Sequence, residues 1–185
     1  MVDCASDSST SVSHMTHAQL TVRDGSPAVR LSAQFPIPAG ELWAQALTPK
    51  GLATWFPFRM EFTPEIGSSI TFTDPSVDAP ANFTGEITNL RDPEEFAFTF
   101  GEHSHLTLTL NSDGKETTFA MVERLANENE AARNAASWHA AVSKLERLHG
   151  VDSPELDWRT IYHRYVDEGF PAGASVPGID ETTLV

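Results

Sequence analysis

The strongest constraint in this sequence is a change of hydrophobic period. Phe96, Phe98 and Phe100, then Leu106, Leu108 and Leu110, alternate with Ala, Thr and Asn. Ile70 and Phe72 do the same, as do Phe83, Gly85 and Ile87, and Phe119 with Met121 closes the set. Successive strand side chains point to opposite faces, so each run is a strand with one apolar face. Such strands make an antiparallel sheet with one wet face and one that must be covered. Only one later segment is long enough to cover it. Residues 128–149 place Ala131, Ala135, Trp138, Val142 and Leu145 on one helical stripe. Asn127 with Glu130 reads as a capping pair, and Gly150 stands where a helix C′ glycine belongs. At 1.5 Å per residue this helix spans about 33 Å. The predicted class is therefore α+β: a curved antiparallel β-sheet wrapped around a long C-terminal helix.

The flanks fit around that unit. Gln19–Arg23 and Ala28–Pro36 surround Asp24-Gly25, a hairpin signal because both central turn positions need positive φ. Leu42, Trp43, Ala46 and Leu47 follow at helical spacing after Pro38, and Thr48-Pro49 opens a second short helix ending near Trp55-Phe56. A further helix is predicted over 154–168, started by Ser153-Pro154 and ended by Gly169, with Trp158, Ile161, Tyr162 and Tyr165 as its stripe. That stripe packs on its own chain or joins a second copy as a homodimer element. Residues 1–17 are Ser-, Thr- and Asp-rich and read as a disordered tail, within which Met15 is an alternative start. The division is thus 1–17 tail, 18–150 domain, and 151–185 appended helix and extended tail.

Two motifs carry a family resemblance. One is Ile37–Phe56 (IPAGELWAQALTPKGLATWF), with Trp43, then Leu47-Thr48-Pro49, then Trp55-Phe56. The other runs from Ser137-Trp138-His139 to Leu148-His149-Gly150. In that order and spacing they resemble the activator-of-heat-shock-protein-ATPase homologue family, of the ninety-kilodalton chaperone class. That family lies within the START-like, polyketide-cyclase-like, helix-grip superfamily. The resemblance covers residues 18–150. It implies the helix-grip fold, and a function among ligand carriers, cyclases, hydrolytic enzymes and co-chaperones. The family commonly has Gly before the helix Trp; here Ser137 stands there, which puts the approach of helix to sheet in question.

The space between sheet and helix is the expected site, a cavity for a small apolar or amphipathic molecule. Its candidate lining is Trp55, Phe56, Phe72, Phe98, Leu108, Met121 and Trp138. His139 is a candidate acid or base at its edge, and Arg59 a candidate anchor for a ligand carboxylate. Core packing is the competing reading for Trp43 and Trp55, and an exposed strand charge for Arg59. A cyclase, hydrolase or dehydratase would use the same cavity with an ionisable group inside, and a chaperone-associated interaction protein is the third reading. The co-chaperone relatives carry an additional N-terminal domain, so the short polar tail argues against that role. No carboxylate stands alone in an apolar run where burial would raise its pKa. His103 and His105, spaced i, i+2, share a strand face without a third ligand nearby, so no metal is expected. Neither G-x-S-x-G, a Walker loop nor G-x-G-x-x-G occurs, so no cofactor is expected.

Charge narrows the partners. The 12 Lys and Arg against 26 Asp and Glu leave a net charge of −14. That excludes nucleic acid and anionic membrane as partners, since both need clustered positive charge. Half of the excess lies outside 18–150, so it describes a solvated exterior more than the site. Cys4 is the only cysteine, and the N-terminus has no basic and apolar leader pattern, so a cytoplasmic location is expected.

Overall fold

The structure, a computed structural model, describes residues 16–75 and 82–175. Cys4, Met15 as an alternative start, most of the N-terminal tail and the last ten residues lie outside them. Eight strands form one antiparallel sheet in the order β1-β2-β8-β7-β6-β5-β4-β3. They are β1 (Gln19–Arg23), β2 (Ser26–Phe35), β3 (Arg59–Glu61), β4 (Ser69–Thr73), β5 (Asn82–Arg91), β6 (Glu95–Phe100), β7 (Ser104–Ser112) and β8 (Thr117–Arg124). All neighbours but β2 and β8 are consecutive in the chain. Helices α1 (Ala39–Ala46) and α2 (Pro49–Trp55) carry the chain from β2 to the far edge at β3.

The hairpin forms as the sequence requires. Asp24 and Gly25 take φ of 51° and 77°, the turn whose twist matches the flanking strands. Thr48 caps α2 by accepting the Gly51 N–H at 3.1 Å. Gly51 itself lets α2 meet α1, because a Cβ there would collide with the Gln45 carbonyl. A Cβ on Gly85 in β5 would likewise strike the Thr99 carbonyl of β6 and the Phe72 ring. This strand glycine is a close approach, not a turn.

The long helix lies on the inner face of the sheet. One 3₁₀ turn (Glu128–Glu130) precedes α3 (Ala131–Leu148), so the predicted helix is right in extent but enters through a tighter first turn. The Glu130 carboxylate accepts the Asn127 N–H at 3.4 Å. At the other end Gly150 (φ 73°) gives its N–H to Arg147 O, and Val151 gives its N–H to Glu146 O. That pair satisfies two orphan carbonyls. Residues 171–175 return to the start of α3: Pro171 O accepts the Ala132 N–H at 3.0 Å, and Ser175 O accepts Arg133 Nη1 at 2.8 Å.

The appended helix α4 (Trp158–Asp167) begins later than Ser153-Pro154 predicts. The Asp157 carboxylate accepts the Thr160 N–H and hydroxyl, and this local cap sets the start. The α4 stripe is buried in its own chain: Ile161, Tyr162 and Tyr165 belong to the core. Trp158 donates its indole N–H to Ser137 Oγ at 3.1 Å, and Ser137 Oγ in turn bonds to Arg133 O. Ser137 therefore faces α4, and its side chain does not stand between α3 and the sheet. No helix among the described residues is long and apolar enough to cross a membrane.

Candidate functional site

Along β8 the inward positions are Thr117, Phe119, Met121 and Glu123, all fully buried. Glu123 thus continues an apolar alternation with a carboxyl group. Its cross-strand neighbours are Val29 of β2 and Leu106 of β7, both fully buried. Two donors one turn apart on α3 meet it. Trp138 Nε1 donates to Oε2 at 2.6 Å, and Asn134 Nδ2 lies 3.1 Å from each oxygen. Asn134 is held in turn by Arg133 Nε at 2.9 Å, and Arg133 by Glu130 at 3.4 Å. Burial pushes the Glu123 carboxyl up to about 7, against the pull of the Trp138 and Asn134 hydrogen bonds. The expectation that no carboxylate is isolated in an apolar run is overturned here. The inward alternation Phe119, Met121 continues by two to Glu123, still inside the strand, where a carboxyl takes an apolar position.

Trp138 joins this carboxyl to an aromatic interior. Its ring lies 5.3 Å from Phe56 and 5.9 Å from Phe100. Phe100 meets Phe58, Phe72 and Phe83 at 5.0–5.3 Å, and Phe72 stacks on Phe83 at 4.9 Å. Phe98 touches both Phe56 and Phe72. Phe72, Phe98, Leu108 and Met121 are fully buried, whereas Phe58, Phe83 and Phe100 are only partly so. Of the predicted lining, Phe56, Phe72, Phe98, Leu108, Met121 and Trp138 are thus brought together, and these side chains occupy the space between sheet and helix. The partly covered Phe58, Phe83 and Phe100 mark the side on which this interior comes nearest to solvent.

Three predicted residues stand elsewhere. Trp55 is 2% exposed, donates to Ala46 O at 2.9 Å and meets Phe119 edge-on, so it braces α1, α2 and β8. Arg59 lies exposed on edge strand β3, paired with Glu61 at 3.1 Å, while Met60 points inward. His139 is 2% exposed but faces α4: its Nδ1 is 2.7 Å from the Tyr165 hydroxyl, which accepts the Ala18 N–H at 2.7 Å. A step of about 100° around α3 from Trp138 leads to the α4 side. The Tyr165 hydroxyl proton is then left for His139 Nδ1, which places the imidazole proton on Nε2. Burial, then Arg164 and His17, lower His139 to about 4, and burial raises Tyr165 to about 12. His103 lies in the turn before β7 and is exposed, so it shares no strand face with His105.

A sheet that grips a long helix, with an aromatic interior and the fully buried carboxyl of Glu123 beside it, defines a START-like helix-grip domain. The sequence model of the activator of Hsp90 ATPase homolog 1-like proteins matches residues 36–150, more than half of the chain. The chain belongs to that family. Its fold is similar to that of CalU16 from Micromonospora echinospora (TM-score 0.64, 17% identity, 83% of this chain and 94% of that one). It is also similar to EF2215 from Enterococcus faecalis, described as a conserved protein of unknown function (0.65, 14%, 82% and 89%). A third similar fold is the BPP1335 protein from Bordetella parapertussis (0.62, 18%, 86% and 93%). At these identities the likeness is one of fold. No curated protein matches the chain by sequence.

Proposed function

We propose that this domain binds a small amphipathic molecule between the sheet and α3, with its apolar body among Phe56, Phe58, Phe98, Phe100 and Trp138 and a hydroxyl or amine at Glu123. The observation that carries this reading is the fully buried carboxyl of Glu123 at the edge of an aromatic interior. Burying an ionisable group is costly, and a core strand position is served more cheaply by Val or Leu. Ligand sites are mostly apolar with a few placed polar groups, and shifted carboxyls concentrate there. Entry passes the partly covered rings of Phe58, Phe83 and Phe100, which swing aside as the molecule takes their place.

A second reading rests on the same residue. A carboxyl near 7 exchanges protons readily at neutral pH, so a bound substrate would meet a general acid or base of enzymatic use. Native mass spectrometry of the purified protein tests the binding reading, followed by thermal denaturation with decanol and with 2-naphthol. A retained small molecule, or a rise in Tm with a probe that Glu123→Gln abolishes, supports it. No retained mass together with no shift by either probe overturns it. Turnover would additionally require chemical change in the bound molecule, lost in Glu123→Gln while binding of the apolar body persists.

A further inference from the structure

The outer face of the sheet holds a second polar site. Outward positions of β8 include Val122 and Arg124, and those of β7 include His105 and Thr107. The register sets His105 opposite Arg124 and Thr107 opposite Val122. The β1–β2 turn comes to the same place. Arg23, Asp24, His105, Thr107, Val122 and Arg124 together line a groove of about 130 Å³. Two of the 12 basic residues of a chain with net charge −14 are gathered here. Arg124 Nε is buried and has no hydrogen-bond partner, and among the described residues Arg124 has no carboxylate within ion-pair distance. An unsatisfied buried donor on a charged group is costly, and an acceptor in the groove would remove that cost. Asp24 does not supply it, because its carboxylate lies 3.8 Å from Arg23 Nε. Glu95, the nearby acid of β6, is already taken by Arg91 at 2.7 Å and Asn89 at 2.8 Å.

We propose that this groove binds a small oxyanion, a carboxylate or phosphate group, gripped by the guanidiniums of Arg23 and Arg124 with the Thr107 hydroxyl as a further donor. Guanidinium donors match the geometry of both anions, and charge-assisted hydrogen bonds are the strong ones. The site rests on different residues from the interior site and stands independently of it. His105 is the built-in reporter. Its ring lies 2.9 Å from Thr88 Oγ1 and 3.5 Å from Thr107 Oγ1. The charged groups facing it are Arg124 from β8, Arg23 from the end of β1, Asp24 from the turn, and Glu95 from β6. Burial first, then Arg124 and Arg23, hold it below the usual histidine range. A bound anion offsets those two arginines, so His105 titrates higher when the groove is filled, and binding tightens as pH falls.

The test is an NMR titration of the full chain with inorganic phosphate and, separately, with acetate, at ionic strength matched with sodium chloride. The expected result is saturable shifts at Arg23, His105 and Arg124 with at least one anion, and an upward move of the His105 midpoint. Phosphate alone saturating assigns the site to phosphate esters; acetate as well extends it to carboxylates. Arg23→Gln, at the exposed end of β1, and Arg124→Gln should each weaken the anion by about tenfold or more. Lys115→Gln, which removes one positive charge elsewhere, should leave affinity unchanged. Shifts that never saturate with either anion, or an equal loss in Lys115→Gln, overturn the proposal.

Discussion

Glu123→Gln keeps the shape of the buried side chain and removes its ionisation, and the consequence for stability can be worked from the structure. In the native state the carboxyl is raised from 4.5 to about 7, so folding favours its protonated form. Its contribution is fully favourable below pH 4.5 and is lost as pH rises through about 7. At about 1.4 kcal/mol per unit, that loss is roughly 3 kcal/mol. His139 works in the other direction. Lowered from 6.5 to about 4, it contributes stability above 6.5 that disappears as pH falls through about 4. The two buried groups have opposing slopes over nearly the same window, and in the native chain they largely cancel. Glu123→Gln should expose the histidine slope. Relative to the native chain, the variant gains roughly 3 kcal/mol between about pH 4.5 and about pH 7. The assay is urea unfolding followed by far-ultraviolet circular dichroism at fixed ionic strength, since Trp138 fluorescence would itself sense the substitution. Carboxylates lowered in the native state, such as Glu95, Asp113 and Asp157, are common to both proteins and drop out of the difference. A difference that stays flat with pH would refute the reasoning.

Other consequences are separate. Gly85→Ala drives a methyl group into the Thr99 carbonyl and should cost roughly 2 kcal/mol or more by urea denaturation. Ser137→Ala removes the acceptor of the Trp158 indole and should cost about 1 kcal/mol, with faster amide exchange in α4 than in α3. Tyr165→Phe leaves the Ala18 N–H and His139 Nδ1 without their shared partner, and should lower stability by about 1–3 kcal/mol. Phe98→Ala empties a fully buried aromatic position between Phe56 and Phe72 and should cost about 3–5 kcal/mol, with Tm as the readout.

Much of the fold was legible because local chemistry and global packing agree. Asp24-Gly25, Thr48-Pro49, Asn127 with Glu130, and Gly150 each did in the structure what their residue types do in isolation. The one-sided Phe and Leu strands required a cover, and α3 was the only candidate. The failures have equally local causes. The start of α4 moved because the Asp157 carboxylate competes for backbone donors better than Ser153-Pro154 does. His139 went to α4 because a helix buried on two sides has no free edge, and sequence spacing does not say which neighbour claims which stripe. Glu123 was missed because a charged residue at the end of a strand reads as its solvated exit; only its two donors on α3, Asn134 and Trp138, make its burial possible. Their i, i+4 spacing was visible, but its meaning depends on a carboxyl supplied from another element.

Glu123 is a fully buried carboxyl raised to about 7, and the proposed ligand would place a hydroxyl or amine against it. The direct measurement is a carbon-13 NMR titration of the Glu123 side-chain carboxyl, alone and with 2-naphthol. The expected midpoint is near 7 in the free protein, with a clear displacement when the probe is present. A midpoint at the ordinary 4.5, unmoved by the probe, would contradict it.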